Sequence, residues 1–183
     1  KEGVNYHPYL PRDDGRLPMS DFGGEHRYNV TGLYHDIWGF PTGNPDEVRK
    51  LVYHLVDKIE AKADEIARYK ALYLDDARQI FISYGSSARS TLHLVNTLRE
   101  RGIRAGLIEL QTLWPFPAAL IARLTEKART LYVVEMNMGQ ICAQVKQAAR
   151  EPDRVFLINR MDGQLITPTD IGNVMRVVEG RGF

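Results

Sequence analysis

The stretch Glu135-Met136-Asn137-Met138-Gly139-Gln140 has the most to offer chemically. Glu135 can accept hydrogen bonds, Asn137 can both donate and accept, and Gly139 lets another backbone or a ligand approach closely. Two readings stand side by side: a loop facing a ligand or a partner, or a helix start capped by Asn137 with Gly139 taking an awkward turn. A second small-residue turn, Tyr84-Gly85-Ser86-Ser87, separates a strand-like run from a helix-like one. Backbone N–H groups at such a turn can hold a phosphate or a carboxylate. A plain turn with Ser86 or Ser87 as the helix N-cap is the commoner use.

Arg12, Arg16 and Arg27 can each grip a carboxylate with two parallel N–H bonds, although an ordinary salt bridge is the more frequent role for any one of them. His7, His26 and His35 share that segment with Asp13, Asp14, Asp21, Glu25 and Asp36. Their spacing matches no metal-ligand pattern, so no metal is expected. Cys142, the only cysteine, falls just inside a predicted helix. It fits either a low-pKa thiol or, more commonly, a small buried apolar residue. A lone cysteine makes neither an internal disulfide nor an all-cysteine iron–sulfur cluster. P-loop, GxGxxG and HExxH patterns are absent.

The totals narrow the field. The 24 Lys and Arg against 23 Asp and Glu leave a net charge of +1, which gives no electrostatic reason to expect nucleic acid or an anionic membrane. Apolar residues at 44% are enough to fill a core, and 183 residues suit one domain with an appendage. No apolar run approaches the roughly 18 residues that span a bilayer. The opening Lys1-Glu2-Gly3 has neither an initiator Met nor a signal-peptide pattern, so a processed or truncated chain is expected. A single cysteine fits a reducing cytosol.

The elements that must position these groups fall into three parts. Residues 1–45 hold 5 of the 9 prolines and 7 of the 15 glycines, mixed with aromatic residues and His, and follow no period of 2 or 3.6. This reads as an extended arm whose apolar side chains pack on protein outside the chain. Residues 46–77 read as a long connecting helix and linker. Asn44 is placed as N-cap, Pro45 as the first helical residue, and Glu47 at a capping-box spacing. The stripe Val48, Leu51, Val52, Leu55, Val56, Ile59, Ala63, Ile66 and Tyr69 carries the helix to about Leu72, roughly 40 Å. Residues 78–183 alternate β-branched runs at 79–83, 104–110, 130–135 and 154–159 with helical spacing, the last helix starting at Thr167-Pro168. The predicted fold is α/β: a mostly parallel sheet of about four to five strands flanked by helices. Functional residues of such sheets gather beyond the carboxyl ends of the strands, here 84–87, 111–116, 136–140 and 160–164.

Several blocks carry a resemblance. Pro8-Tyr9, Gly15-Arg16-Leu17-Pro18-Met19, Val30-Thr31-Gly32-Leu33-Tyr34-His35-Asp36 and Gly39-Phe40-Pro41-Thr42 are followed in order by Ile82-Ser83-Tyr84-Gly85-Ser86, Leu113-Trp114-Pro115-Phe116-Pro117, Val134 to Gln140, and Gly163-Gln164 with Pro168 and Ile171. Over nearly the whole chain the sequence resembles the α subunit of 2-oxoacid:ferredoxin oxidoreductases, most closely the 2-oxoglutarate branch. Tyr34, Ile37 and Trp38 depart from that family's T-G-L-E-H-D-E-x-G pattern. The resemblance implies a transketolase C-terminal-like domain of a cytoplasmic, multisubunit enzyme. That enzyme oxidatively decarboxylates a 2-oxoacid to an acyl-CoA and reduces ferredoxin, using thiamine diphosphate, Mg2+, iron–sulfur clusters and coenzyme A. The family's Gly-Asp-Gly motif belongs to a separate β subunit or domain, and its catalytic Glu lies upstream of this region.

The resemblance therefore assigns no catalytic residue here. It implies that the chain contacts a β subunit and the rest of the α subunit, binds no cofactor alone, and is inactive in isolation. Candidates for the substrate entrance or an interface are Arg12, Arg16, Arg27, His35 and Asp36. Loop candidates are Tyr84, Gly85, Ser86, Glu135, Asn137, Gly139 and Gln140. The alternatives are the same domain of another thiamine-diphosphate enzyme, of transketolase or 2-oxoacid dehydrogenase type, and a stand-alone anion-binding module built from 84–87 and 135–140.

Overall fold

The computed structural model describes residues 5–180. It contains two compact units, the first running to Lys62 and the second from Ala63.

In the first unit the arm folds on itself. Tyr6 stacks on His26, Tyr9 stacks on His35, and His7 meets Trp38 edge-on, with ring centroids 4.0–4.7 Å apart. Gly39 sits at φ +92° where an added Cβ would lie 3.1 Å from the Pro8 ring, so only glycine suits this turn. Asp36 accepts from the amides of Trp38 and Phe40 and fixes the same turn. The segment read as an extended arm thus also makes contacts of its own, through paired histidine and aromatic rings. Even so, Phe22, Val30, Leu33, Trp38 and Phe40 are more than half exposed.

The arm leads into α1 (Pro45–Glu60), with Asn44 accepting from the amides of Asp46 and Glu47 and Pro45 in the first turn. Glu47 accepts from the Thr42 hydroxyl, which places its carboxylate away from the reciprocal capping bond. The long helix is corrected as well. It stops at Glu60, a short α2 (Ala63–Ile66) follows, and residues read as its last turn form strand β1 (Tyr69–Leu72). The apolar spacing there is compatible with a helix, but pairing with a sheet edge satisfies the backbone instead.

The second unit holds a five-stranded sheet in the order β1-β3-β2-β4-β5, with β2 (Gln79–Tyr84), β3 (Ala105–Leu110), β4 (Thr130–Glu135) and β5 (Val155–Asn159) parallel and β1 antiparallel at the edge. Alternate strand residues feed two cores. Ile80, Ile82, Ile108, Leu131 and Val133 pack with residues of α4 (Ala118–Lys127) and α5 (Gln140–Ala148). Phe81, Leu107, Tyr132 and Val134 pack with residues of α3 (Gly85–Glu100) and α6 (Pro168–Val178). Covering both faces is what near-continuous apolar parallel strands require. α6 starts at the Thr167–Asp170 capping box with Pro168 in its first turn. No helix among the described residues is long and apolar enough to cross a membrane.

Candidate functional site

The parallel register brings the loops after β2, β3, β4 and β5 to one edge of the sheet. Glu135, the last residue of β4, is fully buried there. Its two carboxylate oxygens turn back onto the start of α5: Oε1 accepts from the Cys142 amide (2.9 Å) and Oε2 from the Ile141 amide (3.0 Å). Oε2 also accepts from the Tyr84 hydroxyl at 3.2 Å. A negative charge at a helix start, met by exposed N–H groups, is electrostatically favourable.

Asn137 completes the arrangement. Its Oδ1 accepts from the amides of Gly139 (2.8 Å) and Gln140 (3.0 Å), and its Nδ2 donates to the Tyr84 oxygen at 2.6 Å. The Asn159 side chain donates to the Asn137 carbonyl, tying in β5. Gly139 stands at φ +94°, and a Cβ there would lie 3.0 Å from Leu157. Burial, and after it the Glu135 carboxylate, pushes the Tyr84 phenol above its usual range, which keeps it a donor.

Tyr84, Glu135, Asn137, Gly139 and Gln140 therefore form one connected network. Gly85 and Ser86 lie beside it, exposed, with the Ser86 hydroxyl directed at the Met136 sulfur (3.7 Å). Neither Ser86 nor Ser87 caps α3; both lie within its first turn, the N-cap position is Tyr84, and Gly85 takes φ +58°. Asn137 and Glu135 between them take the amides that open α5, while the N-cap position itself is Gly139. Cys142 is buried in the core, and burial pushes its thiol up, so the low-pKa reading fails.

The arm candidates lie in the first unit. Arg12, Arg16 and Arg27 are exposed, and Arg16 pairs with Asp14 at 3.6 Å. His35 is buried, stacked on Tyr9 and bonded to Thr31 (3.1 Å). With Asp36 it lines a cavity of about 280 Å3 that Glu47, Lys50 and His54 also reach; the three arginines do not line it.

Two features at the sheet edge escaped the sequence reading. One is the cluster in the β5–α6 loop, where Arg160 pairs with Asp162 (2.7 Å) and Asp170 (3.4 Å). The Arg160 bond, and after it the Gln164 amide, lowers the Asp162 carboxyl to about 2. The other is a rim of exposed apolar side chains: Leu113 and Trp114 after β3, Met138 after β4, and Met161 and Leu165 after β5. No group of His, Cys, Asp or Glu among the described residues is placed to hold a metal ion. A diphosphate does not fit the start of α5. The amides of residues 139–142 are already bonded by Asn137 and Glu135, and the buried carboxylate would repel it.

Comparison with known proteins gives a consistent result. Residues 77–171 match the family model described as pyruvate:ferredoxin oxidoreductase core domain II. The chain is 38% identical to the 2-oxoglutarate synthase subunit KorA of Methanocaldococcus jannaschii, across 90% of this chain and 44% of that protein. It is 40% identical to KorA of Methanothermobacter marburgensis, across 91% and 44%. The chain thus spans less than half the length of these relatives. Among solved structures it superimposes with a TM-score of 0.77 and 21% identity on a 2-oxoglutarate:ferredoxin oxidoreductase from Magnetococcus marinus, covering 99% of this chain and 32% of that one. A split-gene transketolase superimposes at 0.50 and 16% identity, covering 62% and 41%. At these identities the two structures speak for the fold.

Proposed function

Because the chain belongs to the pyruvate:ferredoxin oxidoreductase core domain II family, we propose that it is the C-terminal part of the α subunit of a cytoplasmic 2-oxoacid:ferredoxin oxidoreductase. In this reading 2-oxoglutarate is the substrate, and the chain works as an assembly and docking element. The complete enzyme would oxidise the 2-oxoacid to its acyl-CoA and reduce ferredoxin. Thiamine diphosphate, Mg2+ and the iron–sulfur cluster would be held by a β subunit and by the remainder of the α subunit. The KorA relatives, similar along nine-tenths of this chain, support the substrate.

The observation that carries the docking role is the composition of the sheet's carboxyl edge. Its central donors are consumed internally by Glu135 and Asn137, while Leu113, Trp114, Met138, Met161 and Leu165 stand uncovered around them. A surface of this kind gains by meeting protein, since apolar rim area leaves water and no buried donor is stranded. The exposed arginines Arg12, Arg16 and Arg27 are proposed to face the substrate entrance in the assembly. His35 and Asp36 support them by fixing the fold of the arm.

Purification from native cells tests this. A second chain carrying thiamine diphosphate and iron should accompany this one, and Trp114→Asp with Met138→Asp should release it while leaving the circular dichroism unchanged. In the recovered complex, replacing Arg12, Arg16 or Arg27 by Ala should raise the apparent KM for 2-oxoglutarate for at least one of the three. Recovery of the chain alone defeats the docking role. Unchanged kinetics for all three arginines defeats the entrance assignment.

A further inference from the structure

The four parallel strands share a feature that only their register brings together. Each is immediately preceded by an arginine: Arg78 before β2, Arg104 before β3, Arg129 before β4 and Arg154 before β5. The strand order β3-β2-β4-β5 turns these distant positions into a row along the amino edge of the sheet, opposite the Glu135 network. The Arg78 amide donates to the Arg104 carbonyl (2.8 Å) and the Arg129 amide to the Arg78 carbonyl (2.7 Å), so three of the four stand side by side. Val155 pairs with Leu131, which sets Arg154 one step along. At about 4.8 Å between strands the row is about 14 Å long.

All four arginines are exposed, and with Lys127 they border an open concavity of about 940 Å3. Three carboxylates reach the same space, those of Glu126, Asp153 and Glu179. Glu126 is engaged by Arg150 at 2.8 Å, and Glu179 by the Gln79 side chain. Arg154 pairs with Glu151 at 2.7 Å. Arg78, Arg104 and Arg129 form no salt bridge among the described residues. With Arg154 and Glu126 each already in an ion pair, Arg78, Arg104, Arg129 and Lys127 share this space with the carboxylates of Asp153 and Glu179, and Asp76 acts on Arg104 from beside it.

Like charges on adjacent strands repel, and nothing in the folding of the sheet calls for them. An anion with several charged oxygens in a line would turn that repulsion into attraction. Guanidinium forks match phosphate oxygens two at a time. A concavity of this size lies in the range of small-molecule sites, which favours a compact ligand over a flat protein face.

We propose that the arginine row at the amino edge of the sheet binds the polyphosphate group of a small molecule. The site is independent of the docking edge and does not rest on the oxidoreductase reading. Isothermal titration of the full-length subunit with inorganic tripolyphosphate, ATP and adenosine tests it. Tripolyphosphate should bind one to one. Arg78→Gln with Arg104→Gln should weaken it at least about tenfold, whereas Arg123→Gln, an exposed α4 arginine off the row, should not. Adenosine should not bind. ATP binding tighter than tripolyphosphate identifies a nucleotide as the ligand, and equal binding identifies the phosphate chain alone. Hydrogen exchange of the parent protein supplies a readout without variants: protection by tripolyphosphate should fall on residues 78–80, 104–106 and 129–131. Absent heat, protection elsewhere, or equal weakening by Arg123→Gln overturns the proposal. So does binding of a polyglutamate peptide where tripolyphosphate does not bind, which would indicate an acidic protein partner.

Discussion

At the residue scale, Glu135 carries the most. Its carboxylate takes two amides of α5 and the Tyr84 hydroxyl in a fully buried setting. Hydrogen bonds to a charged group are stronger than neutral ones, and each buried donor left unpaired costs about 1–3 kcal/mol. Glu135→Ala strands two backbone donors at once. Urea unfolding should show a loss of about 3 kcal/mol for Glu135→Ala and a smaller one for Glu135→Gln, which keeps one acceptor. A loss below about 1 kcal/mol for the Ala variant would mean that water reaches the amides and that the network does not hold α5. The residues of this network were visible in the sequence as a polar loop at a strand end. Their use was not, because a Glu reads identically whether it faces a ligand or turns back to cap the next helix. Cys142 had the same ambiguity, and burial among Ile141, Val145 and their neighbours decided it.

Elements were legible where local signals and tertiary packing agree. Thr167 and Pro168 start α6, Asn44 and Pro45 start α1, and the four β-branched runs are the four parallel strands. Strand β1 was not legible: Tyr69–Leu72 continues a helical apolar stripe, and only the open edge of β3 makes it a strand. The Arg78–Arg104–Arg129–Arg154 row was equally hidden, since it exists only after register is known. Gly106 is the residue that permits the β1–β2 connection to lie close over β3. A Cβ at that position would meet the Tyr73 carbonyl and the Ala77 Cβ at 3.0 Å and a Leu74 methyl at 2.9 Å. Tyr73 already takes a left-handed φ of 57°, so the connection has little room to shift. Gly106→Ala should therefore destabilise the protein by about 1–3 kcal/mol in denaturant titration, the usual cost of overpacking. An unchanged midpoint would show that the connection yields, and that its seat on β3 is not tight.

At the scale of the whole molecule, the titrating groups at the sheet edges set how stability depends on pH. Asp162 is lowered to about 2 by the Arg160 bond first and the Gln164 amide second. Asp170 is lowered by the Thr167 hydroxyl and amide, and Asp76 by its bond to Arg99. Each binds a proton less readily folded than unfolded. Its contribution is therefore complete above the ordinary carboxylate pKa of about 4 and is lost as pH falls through its lowered folded value, about 2 for Asp162. Tyr84 and Tyr132 are raised, chiefly by burial and then by the carboxylates of Glu135 and Glu179. Their contribution is complete below about pH 10 and is lost as pH rises through their higher folded values. Urea midpoints followed by circular dichroism should therefore drop at both ends. Other groups titrate too, so the informative quantity is the difference between a variant and its parent. Asp162→Asn should narrow that difference below about pH 4 and leave the alkaline limb alone, while Tyr84→Phe should do the reverse. If Asp162→Asn follows the parent's acid slope between about pH 4 and 2, the Arg160 bond does not persist in solution. The β5–α6 loop would then be held by the Asp162–Gln164 turn and the Thr167–Asp170 cap.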